Sequence, residues 1–256
     1  MTTKRRITTA IVLADDDGSK LGLVDTPKCL ADVGGKSVLH RQVEALAGID
    51  NVTVVAGCRA TDVLEKLKTL EPQLSDSLMI RVINNPLWAI TKTLVSLLTG
   101  MQDVFYNTGS PDTLVVIDDG IVLKDGELRR LLSAADELDI SIMAAVDNSS
   151  NIAVTINGWR IGLGEDGFAR FISRSYASLL WYGGVLIVKD ASNIDSFYKA
   201  LIGRLQTEPA FDSYYNDAIR SAYLSGMRLT VLPVYSMGLL TEGDIQATVD
   251  ALEAWK

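Results

Sequence analysis

A single histidine, His40, occurs in 256 residues, and it sits beside Leu39 on a segment with helical spacing. An isolated histidine there is expected to be an ordinary helix residue, not a catalytic base. Only two cysteines are present, Cys29 and Cys58, without the spacing of a metal site. Two such thiols fit a reducing, cytoplasmic location. No apolar run reaches the roughly 18 residues that a membrane span needs. The basic start Met1–Arg6 is not followed by a clean apolar stretch with a cleavage site. Ile7–Ala14 is therefore expected to be a core strand and not part of a signal peptide. Positive charge is in deficit, with 24 Lys and Arg against 32 Asp and Glu and a net charge of −8. This argues against nucleic acid as a partner, while a small anion needs only a few local cations. No repeat, linker or low-complexity stretch appears, so residues 1–256 are expected to form one domain.

What is present is a regular alternation. Apolar runs at Ile7–Ala14, Asn51–Ala56, Met79–Ile83, Thr113–Asp118 and Ile140–Val146 read as strands. Between them lie helical patterns at Lys36–Ala47, Thr61–Leu70, Thr91–Gln102 and Asp125–Leu138. This order predicts an α/β fold, a Rossmann-like three-layer αβα sandwich with a mostly parallel mixed sheet. After Asn148 the rhythm changes. Short antiparallel strands are expected at Asn151–Ile156, Trp159–Leu163 and Phe168–Ser173, and a further strand at Tyr182–Val188. Helices at Ile194–Leu205 and Asp212–Leu224, a strand at Arg228–Val234 and a helix from Glu242 complete the chain.

The chemistry concentrates where the first strand ends. Residues 11–39 read IVLADDDGSKLGLVDTPKCLADVGGKSVL. A loop leaving a parallel strand can hold phosphates if its amides approach closely and cations lie nearby. Gly18, Ser19, Lys20 and Lys28 supply these elements. Strand 1 lacks a following G-x-G-x-x-G, which excludes a plain dinucleotide-dependent dehydrogenase. Asp15, Asp16 and Asp17 oppose a triphosphate. One like-charge contact at about 4 Å costs roughly 4 kcal/mol at an effective dielectric of about 20. From the sequence, only Lys20 stands near enough to offset them; an Asp here could alternatively bind the nucleotide's metal.

This stretch resembles the L-A-A-G-x-G-x-R-L…P-K signature of the nucleotidyltransferases, with Asp15 and Asp16 in place of Ala and Gly and Lys20 in place of Arg. Pro27-Lys28-Cys29-Leu30, followed by Val33-Gly34-Gly35-Lys36 and Leu39…Gln42…Leu46, carries the strongest likeness. Asn85-Pro86-Leu87-Trp88-Ala89-Ile90-Thr91-Lys92…Ser96-Leu97 resembles the N-P-x-[YW]-x-x-[ST]-N-x-x-x-S-L segment of phosphocholine cytidylyltransferase-like members, with Lys92 in place of Asn. Tyr182-Gly183-Gly184-Val185 resembles their acceptor-side strand, or is a tightly packed buried strand. Asp118-Asp119-Gly120 resembles the family's metal-binding strand end. Strict alignment puts Gly120 on the metal aspartate and a one-residue slip puts Asp119 there; a plain Asp-Gly turn is an equal reading. At the last motif, the second metal carboxylate falls on Leu240, leaving Thr241 and Asp244 as a capping box.

The resemblance implies transfer of a nucleotidyl group, CTP favoured, to a small phosphorylated or phosphonate acceptor, with release of pyrophosphate. It implies Lys20 and Lys28 as catalytic cations and Asp119 as the ligand of Mg²⁺. Leu13, Ala14, Gly18, Ser19, Thr91 and Lys92 are implied to contact the nucleotide, and the β-rich second half to build the acceptor side. The rival reading, from the altered loop and metal positions, is a non-catalytic relative: a nucleotide sensor, or a partner subunit in a homo- or hetero-oligomer.

Overall fold

The computed structural model describes residues 6–23, 25–70, 78–147, 159–207, 213–239 and 242–255. Its centre is a sheet of parallel strands: β1 (Thr8–Ala14), β4 (Asn51–Ala56), β5 (Met79–Asn84) and β6 (Thr113–Ile117). β1 lies between β4 and β6, with Val12 opposite both Val54 and Ile117. β5 extends the sheet beyond β4. Beyond β6 runs β11 (Leu180–Lys189), antiparallel to β6 and to β8 (Ser141–Asp147). β12 (Leu229–Pro233) pairs in parallel with β8. The antiparallel pair β9 (Arg160–Leu163) and β10 (Ala169–Ser173) joins β11 where Trp181 meets Arg160. The mixed, mostly parallel sheet and the β-rich second half are those expected from the sequence.

Strand periodicity explains the three layers, because successive side chains point to opposite faces. Along β1, Ile11 and Leu13 enter one core with Leu94, Leu97 and Met101 of helix α3 (Thr93–Thr108). Ala10, Val12 and Ala14 enter the other, with Leu39 and Val43 of α1 (Val38–Ala45), Val63 and Leu67 of α2 (Ala60–Leu70), and Leu128 and Leu131 of α4 (Glu127–Leu138). The first core also takes α5 (Ala191–Leu205) and α6 (Ile219–Leu224) through Phe197 and Ile219. α7 (Glu242–Ala254) packs Ile245 and Val249 against Leu21 and Val33.

Several boundaries differ from the sequence reading. The helix expected from Lys36 starts at Val38, because Lys36 and Ser37 form strand β3, paired with β2 (Asp32–Val33). Ser37 then caps α1 by accepting from the His40 amide at 3.2 Å. α3 begins at Thr93, not Thr91, and continues to Thr108. The helix expected from Asp212 is a 3₁₀ turn, Tyr215–Ala218, followed by α6. Two three-residue strands, β7 (Ile121–Leu123) and β13 (Ser236–Gly238), pair antiparallel just beyond β6. The expected strand Asn151–Ile156, Asp212, Leu240 and Thr241 lie outside the described residues; Asp244 is buried in α7.

Candidate active site at the ends of the first and sixth strands

Parallel strands deliver the chain leaving β1 and the chain leaving β6 to the same edge of the sheet. The first carries Asp15, Asp16 and Asp17; the second carries Asp118, Asp119 and Gly120. Gly18 turns the first loop with φ +73°, and a Cβ there would stand 2.4 Å from the Thr26 carbonyl oxygen. Only glycine fits this turn. It brings Lys28 back beside Asp16, whose carbonyl accepts from the Lys28 amide at 3.1 Å.

The Lys28 ammonium is almost buried and lies 2.6 Å from Asp16 Oδ2 and 4.0 Å from Asp119 Oδ2. Asp119 Oδ2 also accepts from the Asp16 amide at 3.1 Å. The Gly18 amide donates to Asp16 Oδ1 and the Ser19 amide to Asp17 Oδ1, each at 2.9 Å. The loop amides expected to face phosphate thus face the loop's own carboxylates. The sequence reading named Lys20 as the local partner for this charge. Here the partner is Lys28, while Lys20 is exposed and makes no ion pair among the described residues.

Three carboxyls, Asp15, Asp16 and Asp119, surround one buried ammonium. Burial alone would lower the Lys28 pKa, but Asp119, Asp16 and Asp15 together raise it, so the ammonium stays charged. Burial pushes Asp119 well above the usual carboxylate range and also raises Asp15, with neighbouring carboxylates adding to both. The Ser96 hydroxyl donates a short hydrogen bond to Asp15. Ser96 in turn accepts from Asn85 Nδ2 at 2.9 Å, and the same amide reaches Thr91 Oγ1 at 3.1 Å. Thr91 is buried and donates to the Leu87 carbonyl. The Asn85–Ser96 segment therefore braces the first loop through α3. Its Thr91 faces inward, while Lys92 is exposed at the start of α3.

Asp118 is fixed from three sides. Its amide donates to the Gly184 carbonyl at 2.9 Å, and its carbonyl accepts from Gln42 Nε2 at 3.0 Å. Its carboxylate accepts a short hydrogen bond from the Tyr215 hydroxyl, which lies 2.6 Å from the Tyr182 hydroxyl. Burial raises the Asp118 pKa to about 7 against the opposing pull of Tyr215 and Lys28. Gly120, with φ +73°, would place a Cβ 2.7 Å from Lys28 Cδ. The strict alignment position therefore has no space for a carboxylate while Lys28 occupies the site.

Of the residues singled out by sequence, the fold gathers Lys28, Asp119 and Gly18. Leu13 and Ala14 turn their side chains into opposite cores and offer the site only their backbone. Ser19 and Lys20 form an exposed 3₁₀ turn. Sequence reasoning gave no role to Tyr215, Gln42 or Ser96. Ser96 and Gln42 lay inside quoted motifs, but nothing local marks Tyr215. Among the described residues no three His, Cys, Asp or Glu side chains converge to hold a metal. Asp119 Oδ1 is nonetheless a buried acceptor without a partner among those residues. One hard oxygen donor fits Mg²⁺ that arrives on a triphosphate, not a metal caged by protein.

The sheet is mostly parallel, with β10 and β11 running against the rest, and Lys28 stands among carboxylates at its carboxyl edge, where α/β proteins of this kind place their sites. The model of the MobA-like NTP transferase domain matches residues 10–193. The chain belongs to that family. Solved structures agree on the fold. The inositol-1-phosphate CTP transferase from T. maritima superposes with a TM-score of 0.74 at 14% identity, over 99% of this chain and 98% of that one. CTP:phosphocholine cytidylyltransferase from Streptococcus pneumoniae gives 0.72 at 18% identity, over 96% and 99%. A UDP-glucose pyrophosphorylase complexed with UDP-glucose gives 0.68 at 15% identity, over 97% and 98%. The sequence has no significant match among curated proteins.

Proposed function

We propose that the chain, acting as one unit over residues 1–256, transfers a cytidylyl group from CTP to a small phosphorylated or phosphonate acceptor. An acceptor oxygen attacks the α-phosphorus; the new P–O bond forms as the bond to the β-phosphate breaks, and pyrophosphate leaves with the electron pair. Such a reaction needs in-line positioning and charge neutralisation more than covalent help from the protein. The observation that carries this reading is Lys28: a buried ammonium, held charged by its neighbours, at the edge where β1 and β6 end. It would stabilise charge gathering on the α-phosphate. Gly18 and Ser19 amides would hold the distal phosphates once they release Asp16 and Asp17. Lys20 would add charge from the loop's outer side, and Lys92, exposed at the start of α3, would flank the nucleoside, while Thr91 braces the segment from inside. When bound, Mg²⁺ neutralises phosphate charge, and Asp119 is the residue that would hold it.

A second reading has its own observation. The Asp16 carboxylate already sits on the Gly18 amide and the Lys28 ammonium, as a bound anion would. This favours a non-catalytic relative, a nucleotide sensor or a partner that stabilises an active subunit. Isothermal titration with CTP, ATP, GTP and UTP, with and without Mg²⁺, combined with a pyrophosphate-release assay, separates the readings. Binding with release supports transfer, and binding without release supports the sensor. No binding of any nucleotide sinks transfer and the sensor and favours the partner subunit.

A further inference from the structure

The acidic chain carries a basic layer on β9, β10 and α6, and its arginines fall into two groups. Arg160 donates to the Tyr176 carbonyl at 3.3 Å and stacks on Trp181; Arg174 stacks on Trp159 and Tyr214; Arg228 pairs with Asp166 at 3.1 Å. These three are committed within the fold. Arg170 lies over the Tyr223 ring at 6.0 Å, a looser contact than the 4.5 Å of Arg174 on Trp159, and Arg220 stacks on no ring among the described residues. Both are exposed, and neither makes a hydrogen bond or ion pair among the described residues. Both line a cavity of about 540 Å³ between β10 and the 3₁₀ turn Tyr215–Ala218. Phe171 gives it apolar surface. Asp217 gives it a carboxylate, and Ser173 a hydroxyl. Asn216 is 3% exposed, with its Oδ1 enclosed behind this wall.

Two guanidinium forks without carboxylate partners suit one dianionic phosphate, which each can meet through paired N–H donors. The Asp217 carboxylate on the same wall suits a ligand with hydroxyl or ammonium groups beyond its phosphate. Asp217 Oδ2 is engaged by the Tyr214 amide at 3.0 Å, which holds that wall in place. The same turn begins with Tyr215, bonded to Asp118, so the cavity and the Lys28 cluster share one short rigid element.

We propose that this cavity binds the phosphate or phosphonate group of a small phosphorylated alcohol or amine through Arg170 and Arg220. Its role as the acceptor's seat rests on the transfer reading; the binding itself does not. The test is calorimetric titration of the full chain, without nucleotide, using phosphocholine, glycerol 3-phosphate and choline as probes. The wild-type protein is expected to bind one or both phosphate-bearing probes and not choline, more weakly as salt rises. The double variant Arg170→Gln/Arg220→Gln is expected to lose at least about tenfold in affinity, the worth of one charge-assisted contact. Melting curves check that this surface variant is folded. Equal affinity of the variant and the wild type, equal binding of choline, or no binding of either phosphate-bearing probe overturns the assignment. CTP titration of the wild type judges the transfer reading separately. Binding of phosphocholine without CTP would support this cavity and sink transfer, and binding of CTP alone would do the reverse.

Discussion

Asp16 holds Lys28 by a 2.6 Å ion pair and, through its other carboxylate oxygen, accepts from the Gly18 amide. An ammonium and a glycine amide at the end of a first strand are what a phosphate oxygen would meet. The aspartate thus competes with the ligand that its surroundings suit, and it does so at an effective concentration no free anion matches. Any triphosphate entering the site must move it.

Replacing Asp16 with Asn removes the competing charge while keeping the side chain's shape. Triphosphate affinity is expected to rise by about tenfold, the equivalent of partial relief of one like-charge contact. The gain should shrink as salt is raised. Titration of both proteins with CTP at two ionic strengths checks this. A fall in affinity would identify the loop carboxylate as part of the working site.

Lys28→Ala should act on both stability and binding. It leaves Asp16, Asp15 and Asp119 without their shared cation, and removing one partner of a buried pair costs about 3–5 kcal/mol. Nucleotide affinity should fall by roughly 1.5–3 kcal/mol, the worth of a charge-assisted contact. Denaturant melts and calorimetry read the two effects separately. An unchanged affinity in a folded variant would remove Lys28 from the site.

For Asp119→Asn, the expectation is a loss of the Mg²⁺ dependence of nucleotide binding with little loss of stability. The side chain keeps its shape, and Lys28 keeps its nearer partner, Asp16, at 2.6 Å. Titration with and without Mg²⁺ is the measurement. Wild-type protein whose nucleotide affinity ignores Mg²⁺ would contradict the assignment.

The Asp118 carboxyl predicts a pH dependence. Its pKa rises from 3.8 to about 7 on folding. Between those values the folded state binds a proton that the unfolded chain does not, so stability is fully present below about pH 4 and declines as pH rises to about 7. The decline attributable to this group is on the order of 4 kcal/mol. Asp118→Asn cannot titrate and can still accept from Tyr215. Its melting temperature should gain on the wild type's as pH rises from 4 to 7. A difference that is constant across that range would refute the buried, proton-holding state of Asp118.

The parallel core was legible because the strands are apolar runs set between helices of 3.6-residue period, so pattern alone orders them. β7 and β13 were not, since three residues carry no periodicity and each exists only by pairing with the other. Lys28 was legible from Pro-Lys after a phosphate-type loop. Its pairing with Asp16 was not, because the turn at Gly18 decides which of two lysines comes back to the loop. Tyr215 is 97 residues from Asp118, and no local signal marks a hydroxyl that arrives from so far along the chain. The likeness of Asp119 to a metal position was visible, but its companions are an ammonium and an amide, which only the folded arrangement supplies.

β11 is the reversed strand that covers the open edge of β6, and it spans Leu180–Lys189. During synthesis the strands through β6 leave the ribosome long before it does. For that interval Leu114–Ile117 present an apolar, unpaired edge, the kind of surface that invites association with other chains. Asp118 gains its Gly184 and Tyr215 partners only when β11 and the turn after α5 have arrived. A nascent chain stalled before residue 180 therefore carries Lys28 and its aspartates in sequence but lacks the contacts that fix Asp118.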